Sequence, residues 1–257
     1  MCKYDPGVDH IHLFVAISLA KKFTPIQRSI VRSILQEVGK CKWITCALVI
    51  LKPNTGRDFS SLRECLLAMS PIVTNDDFIL VRNRSSRGPF MSQWYKDYID
   101  QFLLHENTGM VGSTINHRDH PARGLSQNVS HIQSYVFLSQ WKYLAALLDD
   151  FPGIKSVDHA DAVISGEIEL SQRILRNGAR ISSLQKPEMI LDLHSQNDPV
   201  QLTYQPVRSF DDIPIIHRKR DVRGFKLRIR QLSYLKILWF LLQRKSSVRF
   251  LETSDSK

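Results

Sequence analysis

The sequence has little that would tie it to a zinc site, a membrane span or a repeat. Its four cysteines, Cys2, Cys41, Cys46 and Cys65, form no CxxC pair and no zinc-ligand spacing. Their confinement to the first quarter of the chain argues against a disulfide framework for the whole fold. Such usage fits a reducing cytosol, where the Asn128-Val129-Ser130 sequon is a chance triplet. No segment approaches the ~20 apolar residues that cross a bilayer. The stretch that imitates a signal peptide, "IHLFVAISLA" (11–20), follows Asp5 and Asp9 and precedes a lysine pair. A buried first strand is therefore expected there. No internal repeat or low-complexity tract is found, which excludes solenoids and propellers. Acids are scarce in one region: from His217 to Phe250 there are eleven Lys or Arg and one acid, Asp221. That surplus equals the formal charge of the whole chain, +10. The basicity belongs to a C-terminal element, and the remainder is close to neutral.

What is present is a chain of 257 residues, 43% hydrophobic and 23% charged. That length makes one large domain or two small ones, either able to bury a core. Strand-like runs at 11–18, 44–51 and 77–83 alternate with amphipathic helices at 25–38 and 59–69. Thr24 is the expected N-cap of the first helix, with Pro25 at its first position. Asp58 is the expected N-cap of the second. A helix in "SQWYKDYIDQFLLH", a strand in "GMVGST" and a long polar loop over 115–130 follow. A strand at 131–139 and a helix in "WKYLAALLDDF" come next. This alternation predicts parallel βαβ units and an α/β fold.

The boundary is placed at residue 216, with a main domain at 1–216 and a basic segment at 217–257. In "GFKLRIRQLSYLKILWFLLQRKSS" cations interleave with Leu, Ile, Trp and Phe. Such a segment suits an anionic membrane surface through 223–249. It also suits a helix packed on the domain with a solvated basic face. Nucleic acid is the third reading, and no zinc finger, basic zipper or RNA-recognition motif accompanies it.

Four stretches gather polar residues at strand ends, where open α/β sheets bind ligands. In the first, Asn54, Gly56, Arg57 and Asp58 form a turn into a helix whose free N–H groups and arginine suit an anion. The same residues make an ordinary capped turn. In the second, "NRSSRGPF" (83–90), Asn83, Ser85 and Arg87 are donors ahead of the turn at Gly88-Pro89. In the third, "SHIQSY" (130–135), alternation puts His131 and Gln133 on one strand face and Ile132 and Ser134 on the other. Buried polar groups there need partners or a ligand. The fourth is "SGEIELSQRILRNGARI" (165–181), in which Gly166 permits close approach and Glu167 projects from a helix start. Leu170, Ile174 and Leu175 face inward and Gly178 closes the helix. The macrodipole alone would favour a glutamate there.

Taken in order, "LKPNTGRDFSSL", "FILVRNRSSRGPF", "MVGSTIN", "SHIQSYVF" and "ISGEIELSQRILRNGARISSL" resemble glycosyltransferases of the rhamnan-synthesis type, which assemble cell-surface polysaccharides. The likeness spans roughly residues 44–185. It implies a GT-A-like (Rossmann-type), mostly parallel sheet flanked by helices, with the basic amphipathic segment appended. It implies transfer of a hexosyl or deoxyhexosyl group from a nucleotide-sugar donor to a glycan or lipid-linked glycan acceptor. Asn54, Gly56, Arg57, Asp58, Asn83, Ser85, Arg87 and Gly88 would then serve the donor. His131 and Gln133 would face the cleft, and Glu167 would be the general base. The enzyme would act at the cytoplasmic face, peripheral on the inner membrane, without nucleic acid. Two departures stand out. Arg84 follows Asn83 where the family carries an acid, so an aspartate-held Mg or Mn ion loses a ligand and arginine charge stands in. Ile168 follows Glu167 where the family carries a catalytic aspartate. Both favour an alternative, a non-catalytic glycan- or nucleotide-binding protein on a degenerate transferase fold.

Overall fold

The computed structural model describes residues 3–19, 22–123, 129–195, 207–221 and 249–252. The first half reads β1 (Ile11–Leu19), α1 (Pro25–Val38), β2 (Ile44–Pro53), α2 (Arg57–Met69), β3 (Phe78–Arg82), β4 (Ser86–Arg87), α3 (Lys96–Leu103), β5 (Thr108–Gly112) and β6 (Ile115–Asn116). After these come β7 (His131–Ile132), β8 (Val136–Gln140), α4 (Trp141–Ala145), α5 (His159–Asp161), a π-helical stretch (Ala162–Ile168), α6 (Glu169–Arg176), β9 (Arg180–Ser183), β10 (Ile190–Leu191), β11 (Ile216–His217) and β12 (Arg249–Glu252).

α1 forms where the sequence predicts it. Thr24 Oγ1 accepts from the Gln27 N–H, Gln27 Oε1 accepts from the Thr24 N–H, and Pro25 opens the helix. This reciprocal box satisfies two donors that a helix start otherwise leaves bare. Its apolar face covers β1 and β2: Leu35 and Val31 pack with Val15, Ile17, Val49 and Leu51. Ser18 of β1 points the other way and bonds Ser61 of α2. The period of two thus places one helix on each face of that strand.

The strands divide into two main sheets. One is three-stranded in the order β1-β2-β12, with both pairings parallel. The other is five-stranded in the order β10-β9-β5-β8-β3. In the latter, β5 and β9 are parallel, whereas β3–β8, β5–β8 and β10–β9 are antiparallel. The expected mostly parallel sheet is corrected accordingly: the α/β class holds, with mixed sheets flanked by helices. The predicted strand at 131–139 is also two strands, β7 and β8, separated by a turn. Val136 and Leu138 of β8 pack with Tyr98 and Phe102 of α3. Phe137, on the opposite face, packs with Ile174 and Leu175 of α6. Burying each such side chain contributes ~2 kcal/mol, so β8 is the spine that holds helix layers on both sides.

β1 and β3 are terminal strands of their sheets, and their open edges face a shared cleft. Most residues of both are half-buried, whereas β5 is buried throughout. Part of the β3 edge is capped by a side chain, since Tyr95 Oη donates to the Phe78 carbonyl at 2.8 Å. Among the described residues no helix is long and apolar enough to cross a membrane. The membrane-surface segment expected at 223–249 lies outside the described residues except for Arg249. Cys65 is a free thiol and Cys41 is disulfide-bonded. A reducing compartment disfavours such a bond, so it lends the cytosolic expectation no support.

Candidate functional site

The cleft between the two sheets has a volume of about 2120 Å³ and is lined from five directions: β1, the start of α2, β3 with the loop after it, the turn between β7 and β8, and the helical run around Glu167. Residues 217–220 form its rim. Lining it are seven Lys or Arg (Arg57, Arg82, Arg84, Lys155, Arg218, Lys219 and Arg220) and three carboxylates, Asp58, Asp77 and Glu167.

Glu167 stands on the inner wall. It does not open a helix: a continuous helical run extends from His159 to Arg176, and Glu167 lies in its π-helical part. The reading of this residue as a helix-start charge, favoured by the macrodipole alone, is therefore corrected. A π-turn adds a residue to the helical repeat and redirects side chains, and such turns are common at functional sites. Gly166 permits this geometry. A Cβ there would meet the ring of Phe59 at 2.3 Å, so the helix touches α2 only because residue 166 has no side chain.

The carboxylate is held firmly. Glu167 Oε2 accepts from the Ser134 backbone N–H at 2.7 Å and from Ser134 Oγ at 2.6 Å. Oε1 faces His131 Nε2 at 3.5 Å. Burial pushes the glutamate pKa up, but the hydrogen bonds from His131 and Ser134 outweigh it and hold the carboxyl below the usual range. Glu167 is thus ionised throughout the neutral range. His131 is fully buried, with its Nδ1 2.8 Å from the Val129 carbonyl. A carbonyl only accepts, so Nδ1 carries a proton. Its Nε2 faces Glu167 Oε1 from within the core, so the imidazole backs the carboxylate on the side away from the cleft.

The third polar stretch is rearranged relative to expectation. β7 ends at Ile132, so strict alternation stops there. Ser134, assigned to the opposite face from His131, instead meets the same carboxylate. Gln133 lines the cleft, with its Oε1 accepting from Thr114 Oγ1 at 2.8 Å. His131 lies behind Glu167 and does not line the cleft.

The first stretch enters the cleft whole: Asn54, Gly56, Arg57 and Asp58 all line it. Gly56, not Asp58, is the N-cap of α2, and the helix begins at Arg57. Gly56 has φ +60°, and a Cβ there would lie 2.0 Å from the Ile154 carbonyl oxygen. Arg57 follows at φ +48°, a left-handed conformation that costs a non-glycine residue ~1–2 kcal/mol. Strain of this kind collects at functional sites. Beneath the loop lies Lys52, almost fully buried, whose Nζ donates to the Pro53 and Thr55 carbonyls at 2.6 and 2.8 Å. Burial lowers its pKa, opposed by the charges of Glu64 and Asp58.

The second stretch divides. Asn83 and Ser85 line the cleft, and Asn83 Nδ2 donates to Asp58 Oδ2 at 3.1 Å, joining the first two stretches. Arg87 and Gly88 lie outside it. Arg87 pairs with Ile216 in the β4–β11 ribbon, and the Gly88 carbonyl accepts from Arg82 Nη2 at 3.1 Å. Their expected place by the donor is corrected, because the antiparallel ribbon carries the chain away after Ser86.

Sequence reading missed Arg82, Ser134, Lys52 and the turn Arg218–Arg220. Arg82 reads as the end of an apolar strand, yet its side chain lines the cleft and bonds Ser86 Oγ at 3.3 Å. Burial lowers its pKa, with Tyr98 opposing that shift. An arginine closing an apolar run before Asn83 was the available signal. The expected boundary at residue 216 falls inside β11, which returns to β4 and brings 217–220 over the cleft.

Two carboxylates on the lining are engaged by neighbours, Asp58 by Asn83 and Asp77 by the N–H and hydroxyl of Thr74. Among the described residues no group of three or more His, Cys, Asp or Glu is placed to hold a metal ion. The arrangement suits an anionic ligand bound by fixed cations, with a carboxylate on the far side as acceptor of a proton. Comparison with protein-family models, with curated proteins and with solved structures yields no match.

Proposed function

We propose that the chain is a glycosyltransferase on a GT-A-like scaffold, passing a sugar from a nucleotide-sugar donor to a glycan acceptor in cell-surface polysaccharide synthesis. The observation that carries this reading is the charge layout of the cleft, seven cations facing an ionised glutamate. In the reaction the bond from the anomeric carbon to the donor phosphate breaks as the acceptor hydroxyl oxygen bonds that carbon. The leaving diphosphate gains negative charge, which fixed cations stabilise without reorganisation. The hydroxyl proton goes to Glu167 Oε1, while Ser134 holds the other carboxylate oxygen in place. Asn54, Gly56, Arg57, Asp58, Asn83 and Ser85 serve the donor, and Gln133 faces the acceptor side. The residues do not fit a Mg or Mn ion of the aspartate-held kind: Asp58 is occupied by Asn83, and Arg84 stands beside it. No step is assigned to a metal.

In this proposal the acceptor is lipid-linked. The segment 223–249 then holds the enzyme on an anionic membrane at the cytoplasmic face. Vesicle flotation with that segment deleted tests this part, and unchanged binding to anionic vesicles contradicts it.

One observation favours a second reading, a nucleotide- or glycan-binding protein without turnover. Ile168, where the resemblance places an aspartate, is buried in the core and does not line the cleft. A panel of nucleotide sugars separates the two. Release of nucleoside diphosphate supports the transferase, and binding without release supports the second reading. Neither survives if no nucleotide or sugar binds.

A further inference from the structure

We propose that the turn Arg218–Arg220 is the phosphate anchor of the cleft, built to take the diphosphate of a bound nucleotide by side-chain cations. This rests on the transferase reading for the ligand's nucleoside and sugar; the anion site itself stands on the turn's geometry.

The turn is fixed at both ends. His217 pairs with Ser86, and the Arg218 N–H donates to the Ser85 carbonyl at 2.7 Å. The His217 ring meets Tyr135 edge-on at 5.3 Å, and the Arg220 guanidinium lies 4.5 Å from the centre of the Phe210 ring. The backbone therefore presents three consecutive cations at one place on the rim. All three are exposed, and among the described residues none has a carboxylate partner. Adjacent like charges repel, and a multivalent anion relieves that repulsion. Guanidinium groups take the oxygens of a diphosphate through forked hydrogen bonds. Ser85, which receives the turn, adjoins Arg84, so a fourth cation stands next to it.

The turn also lies within electrostatic reach of the inner wall. Burial lowers the His217 pKa, and the charges of Lys219, Arg218 and Arg220 lower it further, while Glu167 opposes them. Burial raises the Tyr135 pKa, and of the two sides of the cleft Arg220 opposes that shift while Glu167 adds to it. An anion held by the turn would thus share one cleft with the proton acceptor.

Calorimetric titration of the full chain tests the assignment, using inorganic pyrophosphate, inorganic phosphate and a set of nucleosides with their mono- and diphosphates. R218Q/K219Q/R220Q changes only exposed side chains, and its circular dichroism and unfolding midpoint check the fold. Pyrophosphate and one nucleoside diphosphate are expected to bind the wild type, with affinity falling as salt rises. The triple variant is expected to bind both at least ten-fold more weakly, with a flatter salt dependence and the parent nucleoside unaffected. Equal diphosphate affinity in wild type and variant overturns the anchor and leaves the transferase reading standing. Pyrophosphate binding without any nucleotide binding supports the anchor and removes that reading. Affinity confined to anionic vesicles or duplex DNA, with none for pyrophosphate, overturns the anchor.

Discussion

The two walls of the cleft are built on opposite principles. On the inner wall the carboxylate is held by the fold: Ser134 binds Glu167 twice, Glu167 faces His131, and His131 Nδ1 is held by Val129. On the outer wall Arg218, Lys219 and Arg220 stand together, and among the described residues no carboxylate pairs with them. A satisfied network rigidifies and defines one geometry, whereas unpaired cations are completed by something from outside. Under the proposed function the inner wall holds the proton acceptor in advance and the outer wall receives the anion.

Breaking the inner wall's chemistry is the strongest test of that contrast. Glu167→Gln keeps the shape but removes the proton acceptor, and should lower transfer by about 10²–10⁴-fold. Nucleotide affinity measured by calorimetry should change little, because the outer wall is intact. A variant that transfers normally would remove Glu167 from the mechanism.

Breaking the inner wall's position should cost stability. Gly166→Ala drives a methyl group into the buried ring of Phe59. The expected loss is about 1–3 kcal/mol in urea unfolding, with reduced transfer as Glu167 shifts. An unchanged midpoint would mean that the π-helical stretch does not press against α2.

A subtler change lies behind the inner wall. His117 Nδ1 contacts Ser130 Oγ, and its Nε2 is buried without a partner. Burial first, then the charges of Lys186 and His131, lower its pKa to about 4. The unfolded chain binds that proton near pH 6.5, so the unfolded state holds more protons between these values. Stability is complete above pH 6.5 and declines as pH falls toward 4. His117→Asn should flatten that limb of the stability profile, and an unaltered profile would contradict the assignment.

The smallest effect sharpens the outer wall. Arg57 holds a left-handed backbone that glycine adopts freely. Arg57→Gly should relieve part of the ~1–2 kcal/mol strain, offset by the greater freedom of glycine when unfolded. A midpoint within a few tenths of a kcal/mol of the wild type is expected, together with weaker nucleotide binding. Lower stability with unchanged binding would make Arg57 an ordinary turn residue.

Much of the local structure was legible in the sequence, and little of the pairing was. Thr24 and Pro25 announced α1, and the apolar runs announced β1, β2 and β3, because caps and periodicity act over a few residues. Periodicity is silent on which strand lies beside which, so the antiparallel pairings of β8 with β3 and β5 were not foreseen. Glu167 was visible as a polar residue after a glycine, but its partner Ser134 was assigned to the wrong face, because alternation was carried past the end of β7. The cations at 218–220 were counted with the basic tail, since composition sees a run of charge and not the ribbon with β4 that folds it back. Arg87 and Gly88 failed for the same reason from the other side of that ribbon.

On the proposed reading, the cleft receives a nucleotide-linked sugar through the cations of its rim. A thermal-shift series with nucleotide sugars and nucleoside diphosphates tests it most directly, because stabilisation follows occupancy. One nucleotide class is expected to raise the unfolding midpoint of the full chain, and added salt to remove the rise. No shift with any nucleotide up to millimolar concentration would contradict it.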